Sequence, residues 1–168
     1  PNATLNYGCA YGMTYVPDDN FEQALIDLGI DTDSTLNDSV ATGNIRFLTS
    51  LSVAYKQIYD LTGIEDFDSL QTLNCHSNQL TNLDISNNTA LTWLRCENNQ
   101  LTTLDVSQNT ALNLLYCYNN QLTTLDVSTN TALTYLYCFS NQLTTLDVSN
   151  NTALTQLFCQ SNQLTSLD

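Results

Sequence analysis

Five cysteines stand at positions 75, 96, 117, 138 and 159, and the chain around each repeats with the same 21-residue spacing. From Leu70 onward the text reads LQTLNCHSNQLTNLDISNNTA, LTWLRCENNQLTTLDVSQNTA, LNLLYCYNNQLTTLDVSTNTA, LTYLYCFSNQLTTLDVSNNTA and LTQLFCQSNQLTSLD. A fixed period of this length confines the chain to a stack of equivalent turns, each burying its apolar side chains against the next. Leu91, Leu94, Cys96 and Leu101 point inward in the second repeat, followed by Leu104 and Val106. Asn78, Asn99, Asn120, Asn141 and Asn162 fall where the chain must bend, and a buried amide there can satisfy backbone groups that strand pairing leaves free. No turn carries a helix-length stripe, so the repeats are strand and turn throughout, with a second extended segment in L-T-T-L-D-V-S.

Turns stacked about 4.8 Å apart hold their cysteines with parallel Cβ vectors, which does not suit a disulfide torsion near 90°. The five are read as buried thiols acting as small hydrophobes, and without a CxxC pair zinc is not expected. Cys9 stands outside the repeats and receives no role.

Upstream, Asp19 followed by Glu22 reads as a capping box, Phe21, Ala24, Leu25 and Leu28 share a helical face, and Gly29 closes that helix. A second helical stretch is expected over residues 37–42. Residues 48–69 form a divergent 22-residue first repeat, with Leu48, Leu51, Val53, Ile58, Leu61 and Ile64 in repeat positions and Lys56 in place of the ladder asparagine. The expected division is a linker or tail over 1–17, a helical cap over 18–47, the divergent repeat over 48–69, and five 21-residue repeats over 70–168, the last truncated. Pro1 at the start and a stop partway through a repeat at Asp168 read as a fragment or processed product of a longer protein, monomeric by itself.

The L-x-x-L-x-C-x-x-N-Q-L head of each turn resembles the leucine-rich repeat, with cysteine in the third apolar position. The cap and the D-L-T-G-I-E-D-F ending of the first turn resemble the internalin family, and the L-D-V-S-x-N-T segments resemble the 21-residue repeat subclass called IRREKO. Over residues 16–168 the chain is similar to secreted leucine-rich-repeat proteins of Bacteroidetes. The resemblance implies a solenoid with a parallel sheet on its concave face, extended segments on its convex side and a small helical cap. It also implies an exported protein that binds through the concave sheet, as internalins bind host receptors; it does not carry over the ligand.

Comparing the turns with one another separates scaffold from variable positions. The third, fifth and seventh residues point outward: Thr72, Asn74, His76; Trp93, Arg95, Glu97; Leu114, Tyr116, Tyr118; Tyr135, Tyr137, Phe139; Gln156, Phe158, Gln160. An idle solvated surface favours polar residues, so the bias toward rings marks a candidate binding face. Tyr116, Tyr118, Tyr135, Tyr137, Phe139 and Phe158 should touch, with Trp93 and Leu114 at one border and Arg95 and Glu97 as a polar rim. Rings that stack only to stiffen the sheet are the competing explanation.

On the other wall Asp84, Asp105, Asp126, Asp147 and Asp168 form a column of like charge beside Ser86, Ser107, Ser128 and Ser149. Neighbouring carboxylates at this spacing repel by about 0.9 kcal/mol in water. Calcium favours such oxygen-only sites, although identical residues in every turn are more often turn caps, and no metal or other cofactor is assigned. Asp31, Asp33 and Asn37 imitate a calcium loop, but Leu36 and Thr42 stand where glycine and glutamate are required.

Seventeen acidic residues against Arg46, Lys56 and Arg95 give a net charge of -14, which disfavours nucleic acid and anionic membranes as partners. No apolar run is long enough to span a bilayer. The single histidine, His76, reads as a surface residue, and no phosphate loop or HExxH motif is present, so catalysis is not expected. These observations point to an extracellular recognition or adhesion module that takes a protein partner on its rings. A polysaccharide-binding module and a passive spacer in a larger secreted protein are the alternatives.

Overall fold

The computed structural model describes residues 12–167. The described residues open with strand β1 (Met13–Tyr15), helix α1 (Asp19–Asp27), strand β2 (Ser39–Ala41) and the single-turn helix α2 (Thr42–Ile45). β1 pairs antiparallel with β2, which builds residues 13–15 into the cap. The helix expected over residues 37–42 is instead strand β2 leading into α2.

The start of α1 also differs from the expected capping box. Asp18 is the N-cap, its carboxylate accepting from the Asn20 and Phe21 N–H groups. Glu22 turns away and accepts from the N–H groups of Asn37, Asp38 and Ser39, pinning the return loop to the helix. At the far end Gly29, at φ 69°, donates to Ile26 O, and Ile30 N–H donates to Leu25 O. This pair of bonds is a Schellman closure, for which a left-handed glycine is suited. Leu28, expected on the inward face, is the helix C-cap and lies half exposed.

From residue 50 the chain winds into a β-solenoid. Strands β3 (Ser50–Ser52), β4 (Thr72–Asn74), β5 (Trp93–Arg95), β6 (Leu114–Tyr116), β7 (Tyr135–Tyr137) and β9 (Gln156–Phe158) form one six-stranded parallel sheet in chain order. A 3₁₀ turn, Ile64–Asp66, interrupts the first turn. Among the described residues of the opposite wall, β8 (Thr145–Leu146) and β10 (Ser166–Leu167) alone pair as strands. The register advances one turn at a time, with Leu51, Leu73, Leu94, Leu115, Leu136 and Leu157 side by side. Each of these leucines is flanked by two outward residues, and the central ones are fully enclosed with their cysteine neighbours.

The asparagine column closes each bend. Asn120 Oδ1 accepts from Leu101 N–H, while its Nδ2 donates to Cys96 O and Cys117 O, tying two turns together through one side chain. Asn99 and Asn141 repeat this pattern. A second column went unread in the sequence. Asn88, Asn109, Asn130 and Asn151 are buried at the other bend, each donating through Nδ2 to two carbonyls of the preceding turn.

The first turn seats the cap by polar contacts. Lys56, in the asparagine position, donates its backbone N–H to Asn78 and its ammonium to Asp27 of α1 at 2.8 Å. The second oxygen of Asp18 accepts from Tyr59 and Asp60 N–H groups, so one carboxylate caps the helix and holds the first turn.

Candidate functional site

Outward positions on β6, β7 and β9, with the bends that follow β6 and β7, bring rings from successive turns together. Tyr116 and Tyr137 stack at 4.3 Å and 12°, and Tyr118 and Phe139 stack at 4.3 Å and 10°. Tyr116 joins the two stacks at 6.4 Å from Tyr118, and Phe158 meets Tyr137 edge-on at 4.6 Å. Burial among these rings pushes the Tyr116 and Tyr118 phenols up, so both are neutral hydroxyl donors and acceptors at ordinary pH. Tyr135 lies in the other row and lines a groove of about 390 Å³ with Trp93, Arg95, Leu114 and Tyr116.

Three residues do not sit where alternation placed them. Leu114, expected at the exposed border, is 5% exposed and packs low between its neighbours. Glu97, expected on the polar rim, is fully buried. The strands are only three residues long, so the seventh position of a turn already lies in the bend, beyond the reach of strand alternation. Arg95 donates to a single oxygen of Glu97 from both Nε and Nη2 and rests 5.5 Å from the centre of the Tyr116 ring. The other Glu97 oxygen is buried without a donor. His76, expected at the surface, shares this bend: it is 9% exposed, pairs with the Ser77 hydroxyl at 3.0 Å and meets the Tyr55 ring edge-on. Burial lowers its pKa, which favours the neutral imidazole. Tyr55 itself is held at φ 59°, a left-handed conformation costly for a bulky residue.

The aspartate column is exposed, and each member caps a turn. Asp84, Asp105, Asp126 and Asp147 accept from the N–H of the serine two residues on, at 2.8–3.0 Å. These contacts, through the serine backbone first at Asp84 and Asp105 and the serine hydroxyl first at Asp126 and Asp147, hold all four carboxyls below their ordinary pKa. They offset the mutual repulsion. A shallow groove of about 690 Å³ runs along Asp84, Asp105 and Asp126. Because the folded pKa values are depressed, the turn caps stabilise the fold above the ordinary carboxylate range and that contribution is lost as pH falls through the folded values. Asparagine keeps the turn-capping oxygen but does not titrate. Replacing all four aspartates by asparagine is expected to flatten the acid limb of a urea-midpoint against pH profile, while leaving the midpoint at pH 7 nearly unchanged.

Among the described residues the five repeat cysteines are unpaired, with burial pushing the Cys75 and Cys138 thiols up to about 12. Cys9 lies outside the described residues. No helix among them is long and apolar enough to cross a membrane.

Comparison with known proteins agrees with this architecture. The functional domain of InlJ from Listeria monocytogenes, described as including a cysteine ladder, superposes with a TM-score of 0.85 at 43% identity, over 94% of this chain and 36% of that one. Internalin J of Listeria monocytogenes serotype 4b is 44% identical over 75 residues, 45% of this chain and 8% of the relative. A leucine-rich-repeat protein of Leptospira interrogans follows at 29% identity and TM-score 0.62, over 67% of this chain and 30% of that one. A family profile described as the LVIVD repeat matches residues 134–158. The chain thus spans a small part of the relatives it matches. These relatives come from Listeria and Leptospira, and the expected kinship with Bacteroidetes proteins finds no support in them. The chain is a leucine-rich-repeat protein of internalin-like architecture.

Proposed function

We propose that this module recognises a protein partner at a cell surface through the aromatic sheet face, in the manner of an adhesion domain rather than an enzyme. The single observation that carries this reading is the pairing of the ring faces. Tyr116 with Tyr137 and Tyr118 with Phe139 cover one another, so a ligand meets edges and hydroxyls instead of flat plates. Sugar rings need an open aromatic face, whereas an uneven patch of ring edges and hydroxyls suits a protein surface. The internalin-like architecture supports an extracellular setting. The enclosure of His76, the one histidine, by Tyr55 and Ser77 favours binding over catalysis.

One observation favours the polysaccharide alternative. Trp93 is 46% exposed and lines the groove beside Tyr135, and an exposed indole can stack on a sugar ring. The two readings separate on an array of secreted proteins and surface polysaccharides probed with the wild-type chain and with a Tyr116→Ser/Tyr137→Ser variant. Capture of a protein that weakens at least about 30-fold in the variant, the loss of two central ring contacts, supports the reading. Capture of polysaccharide alone transfers it to the glycan class. Equal binding by both chains sinks the ring-face site and leaves a spacer.

A further inference from the structure

We infer that the groove between Trp93 and Tyr135 receives a cationic side chain, arginine or lysine, from a basic segment of the partner. The inference rests on the protein-partner reading and deepens it. Register places Trp93, Leu114 and Tyr135 side by side on β5, β6 and β7, so the two rings stand two strands apart, about 10 Å at the backbone. Leu114 is the short side chain between them, and its burial makes it the floor of a slot with an aromatic wall on either side. A planar guanidinium or an extended lysine stem fits between two such walls, each contact needing about 3.5–4 Å.

Charge selects the occupant. The chain carries a net charge of -14, and its field draws in cations and turns away anions. Ring faces of tryptophan and tyrosine attract cations further at short range. Arg95 is the only basic residue in the 21-residue repeats and also lines this groove, yet it does not reverse the preference. Its charge is balanced by Glu97, which it grips through Nε and Nη2, and its guanidinium lies over Tyr116. An anionic or merely apolar guest does not answer that field.

Trp93 is the only tryptophan in the chain, so its fluorescence reports this slot directly. The probe is a neutral-backbone peptide carrying two arginines, titrated beside the same peptide with citrulline, which keeps the shape and removes the charge. The arginine peptide is expected to shift Trp93 emission, with affinity at least about tenfold above that of the citrulline peptide. Tyr135→Ala should weaken it by a similar factor, and Asp105→Asn/Asp126→Asn on the opposite wall by less than about twofold. Equal affinity for arginine and citrulline overturns the inference, as does no binding by either peptide. Loss of binding in the aspartate variant with no effect of Tyr135→Ala overturns it too, assigning the attraction to the acidic wall. In each of these cases the Tyr116→Ser/Tyr137→Ser result stands or falls separately, so failure of the cation slot does not stand for failure of the protein-binding face.

Discussion

Replacing Asn120 by alanine is expected to lower the unfolding free energy by about 2–4 kcal/mol, a sizeable share of what a domain of this size commands. The side chain serves three buried backbone groups: it accepts from Leu101 N–H at 3.0 Å and donates to Cys96 O and Cys117 O, each at 3.1 Å. Alanine leaves Leu101 N–H without a partner, at about 1–3 kcal/mol, and takes one of two side-chain donors from Cys96 O and from Cys117 O, which keep Asn99 and Asn141. The bend lies between two fully packed turns, so water has poor access to substitute. Asn162→Ala provides the control, because its bonds are only partly buried in the last turn. Urea denaturation should show a much smaller loss there, about 1 kcal/mol. Equal losses at the two sites would mean that the column acts through the unfolded chain and not through buried backbone groups.

Gly63→Ala is expected to cost about 3 kcal/mol, concentrated in the cap. Gly63 sits at φ 103°, where a side chain is strained whatever the space. Space is lacking as well: a Cβ there would lie 2.7 Å from the Tyr15 carbonyl oxygen and 3.0 Å from Val16 Cγ2. Tyr15 ends β1, and the strand is anchored close by through the Thr14 hydroxyl, which donates to Asp66 at 2.6 Å. Alanine must push β1 off the first turn or distort the turn itself. Hydrogen exchange should therefore quicken across β1 and β2 while β6 and β7 keep their protection. Uniform loss across the sheet would show that cap and solenoid melt as one unit, and unchanged exchange would remove Gly63 from the seating of the cap.

What the sequence disclosed depended on repetition. Leu94 and Cys96 could be placed inward because the same letters recur at the same interval, and stacking leaves one solution for such a pattern. Asn120 was legible for the same reason. The Asn88 column recurs just as strictly and was passed over, because D-V-S-x-N-T reads as a polar turn and nothing in its letters says which polar group goes inside. Where repetition ends, local rules compete without an arbiter. Asp18 and Asp19 are both good helix caps, and only the Tyr59 and Asp60 N–H groups, 41 and 42 residues away, decide for Asp18. Ser39–Ala41 became a strand because β1 offered it a partner. At the candidate site the period-two rule located the rings but failed for Glu97 and His76, since three-residue strands give it no jurisdiction past Arg95 and Asn74. Which rings would turn their faces to one another and which would stay open could not be read from letters at all.

The thiol column has a kinetic consequence. Each of the five repeats holds one cysteine, enclosed in the first four and half-buried at Cys159 in the last. A buried neutral thiol reacts with an alkylating reagent only when its own turn opens, so the five act as independent clocks laid along the axis. Brief labelling followed by peptide mass analysis would therefore read the order in which the turns come apart, with no probe added and no residue changed. A stack of nearly identical turns should unzip from its ends, which sets Cys159 to mark first and Cys117, with two cysteine-bearing turns on either side, to mark late.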